Sequence, residues 1–375
     1  MNMNALGFIF ADSVDGALNE LTEKRTLGAV PFGARYRVID FLISNMANAG
    51  IRNIGIATTG KYDSLMHHVR SGAPWDLDRK RSRLTFLPPY ASFNGGGTYE
   101  NRLEALQYHL QYLKRFSEEY ILISGCNYVA NIDFNKVLEF HKKTGARVTA
   151  LYRNSIIHRQ QELSVMEYKI GEDGRILDHR NAEILNEVRP LSINAYLMRL
   201  DDLIDLAERS MREGKHSFRR DLFFPMIDSG EKVMGYEVPG TVLYMDDLST
   251  YLKNSLELLD RNVRDNLFHV DGRPILTNVK DSAPARYGDN AKVVNSLIAD
   301  GTIIEGEVRN SIIFRGVRIG KDSVVENSVI MQESTIGDGV RLNYAVLDKN
   351  VIVQDCRMLS GYITHPFYMG VNEVI

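Results

Sequence analysis

Residues 6–50, LGFIFADSVDGALNELTEKRTLGAVPFGARYRVIDFLISNMANAG, decide how the first two thirds of the chain are read. They open on an unbroken apolar run, 6–11, with the texture of a buried parallel strand. They close on 38–49, where the apolar spacing is helical and Gly50 supplies a C′ stop. Between them runs a long loop, the place where a nucleotide-handling α/β domain puts its phosphate site.

Working outward, strand and helix patterns alternate. Short apolar runs at 53–58, 120–124 and 147–152 predict strands, and 64–69, 99–116 and 135–144 predict helices. This rhythm means a mostly parallel sheet with helices on both faces, with ligands bound outside the carboxyl ends of its strands. The loops after Ala11 and Ser124 are therefore the ones to inspect. Antiparallel pieces follow at 163–170 and 176–178, then a core strand at 192–199, a helix at 201–212, strands at 233–238 and 241–244, and a helix at 249–261. Residues 262–291 have little periodicity and contain Pro274 and Pro284, so they read as a linker between a domain at 1–261 and another at 292–375.

From Lys292 the texture changes. Apolar residues recur at roughly six-residue spacing, with Ile319-Gly320 and Ile336-Gly337 pairs. A phrase of the type N-S-[LIV]-I returns at 295–298, 310–313 and 327–330. A hexapeptide period of this kind predicts a left-handed parallel β-helix, with one apolar residue per face pointing into a shared core. The competing reading, a sandwich of short strands, fits less regular spacing.

Composition sets the outer limits. The 375 residues are 44% hydrophobic and 25% charged, with a formal net charge of -3. Such a chain is globular and gives no reason to expect nucleic acid or an anionic membrane as partner. Two cysteines, Cys126 and Cys356, cannot build a disulfide framework. No apolar run approaches the ~20 residues that span a bilayer, and no signal peptide is evident, so the expected location is cytoplasmic.

Several stretches together resemble the ADP-glucose pyrophosphorylases of the glucose-1-phosphate adenylyltransferase family. They are Pro31-Phe32-Gly33, Tyr36-Arg37-Val38-Ile39-Asp40-Phe41, Ser44-Asn45, Pro74-Trp75-Asp76-Leu77-Asp78-Arg79 and Leu87-Pro88-Pro89-Tyr90. The likeness covers nearly the whole chain. It implies an α/β nucleotidyltransferase-like domain ahead of the β-helix, and a place in glycogen synthesis, where ATP and glucose 1-phosphate become ADP-glucose and pyrophosphate.

The departures from the family pattern are chemical. Catalytic members carry G-G-x-G-x-R-L after the first strand, glycines to wrap a triphosphate and an arginine to neutralise it. Here Asp12, Asp15 and Ala17 fall in that stretch, Ala17 at the arginine. At ~5 Å and an effective dielectric of about 20, one carboxylate costs about 3 kcal/mol against each phosphate charge. Leu27 stands for the lysine of K-P-A-V-P, and Cys126 interrupts the S-G-D motif whose aspartate holds Mg²⁺. Tyr244 falls on the second metal aspartate, with Asp246 and Asp247 close by as alternatives. Asn101-Arg102-Leu103 replaces the G-T-A stretch over the nucleobase, and the E-K-P sugar-phosphate lysine is missing near 181–183.

The resemblance therefore implies the non-catalytic regulatory subunit of that family. Such a chain has no catalytic residues or cofactor of its own and leaves Mg²⁺ to a catalytic partner. It pairs with that partner in a heterotetramer, leaves room for a homo-oligomer of the chain alone, and takes a phosphorylated metabolite as effector. Lys24, Arg25 and Arg37 match the basic effector-site segment, against the plainer reading of a solvated charged loop. The cluster Arg79, Lys80, Arg81 and Arg83 has the same two readings. Cys126 reads as a small buried residue and the carboxylates of Asp12 and Asp15 as helix N-caps. Three other functions compete: a weakly active nucleotidyltransferase, a sugar-nucleotide sensor using the degenerate pocket, and a hexapeptide acyltransferase. The last needs a histidine base on a coil, and 292–364 contain none.

Overall fold

A computed structural model describes residues 3–12, 18–80, 82–89, 101–156, 165–181 and 187–375. Its main sheet comprises β1 (Ala5–Phe10), β2 (Asn53–Ala57), β3 (Arg83–Leu87), β4 (Tyr120–Gly125), β5 (Val148–Ile156), β6 (Met166–Ile170), β7 (Ile176–Asn181), β8 (Val188–Arg199) and β9 (Val233–Glu237). The lateral order is β3-β2-β1-β4-β8-β5-β9, with β6 and β7 joined to the first half of β8. Strand β1 runs parallel to both neighbours and is buried along its whole length, which is why its sequence is apolar without alternation. From β1 the chain passes to β2 and β3 on one side, then returns to β4 on the other. That reversal puts the crevice between the carboxyl ends of β1 and β4. β8 enters antiparallel to β4, and its pairing with β5 shifts register between Ser192 and Tyr196, around Asn194, whose φ is 59°.

Two expected helices are divided. The described part of 99–116 forms Arg102–Tyr108 and Leu110–Leu113, and 249–261 becomes Leu248–Glu257 followed by a separate helix, Arg261–Phe268. Asp260 caps the latter by accepting from the Asn262 N–H. Residues 262–291 are thus not a bare linker. They begin in a helix, and their middle is strapped to the α/β domain by side chains. The Leu276 N–H donates to Ser44 Oγ (2.9 Å), Thr277 Oγ1 to Asp40 Oδ2 (2.6 Å), and Asn278 Nδ2 to the His68 carbonyl (2.7 Å). Their end already belongs to the β-helix, because Arg286–Tyr287 pairs with Ile303–Ile304.

The second domain is a left-handed parallel β-helix of three five-stranded parallel sheets. The N-S-[LIV]-I phrase is explained position by position. Each asparagine sits at a left-handed corner, with φ of 43°, 47° and 49° at Asn295, Asn310 and Asn327. Asparagine tolerates that conformation. Neighbouring corners are linked, Asn295 Nδ2 to Asn310 Oδ1 (2.8 Å) and Asn327 Nδ2 to Asn343 Oδ1 (3.0 Å). The serines bond the next coil: Ser311 Oγ accepts from the Ser328 N–H, and Ser328 Oγ from the Ala345 N–H.

The two apolar residues of the phrase point opposite ways. Ile313, Ile330 and Leu347 fill the β-helix interior. Ile312, Val329 and Val346 stack in register on the outside of the same sheet and join the core of the α/β domain, as do Phe314 and Met331. One sheet of the β-helix is therefore buried on both faces: one apolar residue of each pair points into the shared core, as expected, and the second packs outward against the α/β domain. Replacing Ser328 by Ala leaves the buried Ala345 N–H without an acceptor. Chemical denaturation is expected to show a loss of about 1–3 kcal/mol.

Candidate functional site

At the crevice, β1 is followed by Ala11 and Asp12, and β4 ends in Gly125 and is followed by Cys126. Among the described residues Asp12 caps no helix: its Oδ2 accepts from the Thr59 backbone N–H and, at 3.0 Å, from the Thr59 hydroxyl, just beyond β2. Burial raises its pKa, opposed by those hydrogen bonds and by the charge of Lys61. The following short helix, Asn19–Thr22, has Leu18 at its N-cap and no side-chain cap. Asp15 and Ala17 lie outside the described residues, as does Arg81.

The floor is apolar. The 3₁₀ turn Leu27–Ala29 packs across the end of β1, with the Gly28 N–H donating to the Ala11 carbonyl (2.8 Å). A Cβ on Gly28 would stand 3.2 Å from Cys126 Sγ, a close approach that suits glycine. Leu27 is a core side chain. Cys126 is 1% exposed, and burial drives its thiol pKa far up, with the Asp12 charge adding and Arg102 opposing. A neutral buried thiol is a poor ligand for a hard cation that wants oxygen. Tyr244 pairs with Tyr128 across a two-stranded ribbon, and its hydroxyl donates to the Leu191 carbonyl (3.3 Å). Asp247 caps the helix Leu248–Glu257 by accepting from the Thr250 N–H (2.7 Å), while the Asp246 carbonyl accepts from the Leu18 N–H (3.0 Å). Among the described residues no three His, Cys, Asp or Glu side chains converge as a metal site. A cavity of about 490 Å³ lies between Leu191, Tyr244, Asp246 and Lys253 on one side and Ile363 and Thr364 of the β-helix on the other.

The charged site is at the seam between the domains. Lys24 is exposed, but Arg25 is buried and its Nη2 meets both carboxylate oxygens of Asp348, at 2.8 and 2.9 Å. The side chains are 4% and 2% exposed. Asp348 also accepts from the Lys349 N–H (2.7 Å) and from the Tyr368 hydroxyl (3.4 Å). The other guanidinium nitrogen of Arg25, Nη1, is buried with no hydrogen-bond partner among the described residues. Arg37 is anchored to Ser64, donating to its carbonyl (2.5 Å) and hydroxyl (3.0 Å). Burial lowers the Arg37 pKa to about 10, with Asp40 opposing and Arg25 adding. Burial likewise lowers Lys349 to about 7, helped by Arg37, Arg25 and Lys280 and opposed by Asp348. Positive charge thus accumulates at the seam beyond what Asp348 neutralises. Asp348, Lys349, Tyr368 and Lys280 carry no local sequence signal, because they meet Arg25 only through the docking of the two domains.

The remaining candidates are ordinary. Arg79 pairs with Asp76 on the surface. His67 is exposed, and His68 is buried with its Nε2 2.6 Å from Asp40 Oδ1. No helix among the described residues is long and apolar enough to cross a membrane.

Comparison with known proteins agrees with this architecture. Residues 17–179 match the Nucleotidyl transferase family, and 282–360 the family described as GlmU-like, C-terminal hexapeptide. The glucose-1-phosphate adenylyltransferase of Clostridium botulinum (strain Alaska E43 / Type E3) is 31% identical over 88% of this chain and 85% of its own length. The glycogen biosynthesis protein GlgD of Bacillus subtilis (strain 168) is 31% identical over 98% of this chain and 96% of its own. The chain belongs to the glucose-1-phosphate adenylyltransferase and GlgD family. A glucose-1-phosphate adenylyltransferase of Bacillus anthracis, 29% identical over 93% of each chain, extends the same relation.

The seam of this family member makes a pH-dependent prediction. Lys349 holds fewer protons in the fold than in the unfolded chain between pH 7 and its ordinary 10.5. Its buried charge therefore opposes folding most below pH 7, and that cost is relieved as pH rises through the window. A bound anion reverses the balance by restoring the ammonium. Titration calorimetry of a sugar bisphosphate at pH 8, in buffers of different ionisation enthalpy, is expected to show proton uptake. Affinity falls as pH rises from 7 to 9, and both effects vanish in Lys349→Met.

Proposed function

We propose that this protein serves glycogen biosynthesis as a regulatory subunit, associating with a catalytic glucose-1-phosphate adenylyltransferase and raising its activity. The names of its relatives give the pathway and the reaction. The observation that carries the non-catalytic part is the crevice floor, where Leu27 is in the core and Cys126 is a buried neutral thiol. Phosphoryl chemistry depends on neutralising charge as it develops, usually with Mg²⁺ and cationic side chains. This floor supplies neither a charge nor a hard ligand at those positions, so the Mg²⁺ of the reaction belongs to the partner.

The regulatory part is supported by the seam. Arg25, Arg37, Lys349 and Lys280 form a positive cluster drawn from both domains, suited to the phosphate groups of a metabolite. An anion bound there interacts differently with seams of different geometry, which is what an effector needs to shift a population of states. Those states are transmitted to the catalytic subunit across the assembled oligomer, a heterotetramer in this reading.

The direct assay is pyrophosphate release from ATP, glucose 1-phosphate and Mg²⁺. The chain alone is expected to be silent, and an equimolar mixture with its catalytic homologue to exceed the homologue alone several-fold. Robust turnover by the chain alone, or a mixture no faster than the homologue, contradicts the proposal.

A further inference from the structure

Arg102 lies at the crevice and takes no part in the function just described. It opens the helix Arg102–Tyr108, whose N-cap Asn101 and Glu104 form a capping box that fixes the first turn. From there the side chain reaches over the sheet. Its guanidinium carbon is 5.4 Å from the ring centroid of Phe10, the last residue of β1. A Cβ on Gly125, the last residue of β4, would stand 2.5 Å from Arg102 Nη2 and 3.1 Å from Asn127 Oδ1. Any side chain at Gly125 would displace the guanidinium. The Nε and Nη1 atoms are shielded from solvent. The charge of Arg102 also acts on the Cys126 thiol, and the guanidinium sits at one point over the ends of both strands.

That point is the mouth of the crevice between β1 and β4, where an open α/β sheet takes its ligand. Guanidinium is planar, delocalised and weakly hydrated, and it stacks on aromatic faces. An aromatic base uses the same face in the same way. We propose that Arg102 is a built-in occupant of the crevice, lying on Phe10 where a nucleobase would otherwise stack and closing the site to nucleosides. The closure deepens the reading of this chain as a subunit without its own catalysis, and it adds something that reading does not require. A crevice can lose its catalytic charges and stay open; this one is filled by its own chain.

The test is equilibrium dialysis of the full chain against labelled adenosine, which is uncharged and so is not repelled by Asp12. The wild-type chain is expected to show no saturable binding at millimolar adenosine. Arg102→Ser binds at least about tenfold more tightly, and Phe10→Leu in the same background removes the gain. Arg102→Gln, which keeps most of the stem, gives an intermediate affinity and stands in if the serine variant does not fold. Wild-type binding as tight as that of the variants overturns the proposal, as do variants that melt like wild type and bind nothing. Pyrophosphate release measured in parallel separates the two readings. A silent wild-type chain that binds adenosine overturns the occupant and leaves the non-catalytic reading standing, whereas wild-type turnover overturns both.

Discussion

A buried ion pair, Arg25 with Asp348, holds together two parts of the chain 323 residues apart. Taking two charges out of water costs several kcal/mol per ion, and such a pair persists only where the geometry is good and the remaining lone pairs are used. Here the guanidinium nitrogen meets both carboxylate oxygens, and the Lys349 N–H and Tyr368 hydroxyl complete the set. The seam also has an apolar part. Ile312, Val329 and Val346 lie against the α/β core, and Tyr368 also donates to the Glu20 carbonyl (2.8 Å). The pair thereby makes the relative placement of the two domains specific, which apolar contact alone does weakly.

Charge is distributed unevenly between the two candidate sites. At the crevice the cationic and hard-ligand positions hold Leu27 and Cys126, and the guanidinium of Arg102 lies against the chain's own Phe10 and Gly125. At the seam the balance is reversed. Four cationic side chains face two carboxylates, Asp348 and Asp40, and the ammonium of Lys349 is destabilised enough to titrate near neutrality. A site in that condition gains from any anion that enters it, and the gain depends on both domains staying in place. In the function proposed above, anion recognition at the seam and mechanical coupling between the domains are one property.

The parts of this arrangement legible in the sequence are those written as local periodicity. The run ending at Phe10 and Ala11 announces a doubly buried strand, and the spacing of Ile319, Ile336 and their neighbours announces a β-helix. The doubled apolar residues at 312–313 and 329–330 carried a further message, a sheet buried on both faces, that a six-residue period does not disclose. Residues 262–291 looked structureless because their order comes from partners far along the chain, Ser44, Asp40 and His68. Arg25 was visible as a basic residue. Asp348 and Lys349 were not, since nothing near them marks them as facing Arg25. Asp12 read as a cap because carboxylates in turns usually are, but the Thr59 N–H beyond β2 is the nearer unsatisfied donor.

We propose that this chain recognises anions at its domain seam and not at the crevice of its sheet. Calorimetric titration of the wild-type chain and Lys349→Met, each with a sugar bisphosphate and with Mg-ATP, tests that division directly. Saturable bisphosphate binding that Lys349→Met abolishes is expected, with no Mg-ATP binding that survives the substitution. Mg-ATP binding of equal strength in both proteins, with bisphosphate bound by neither, would contradict it.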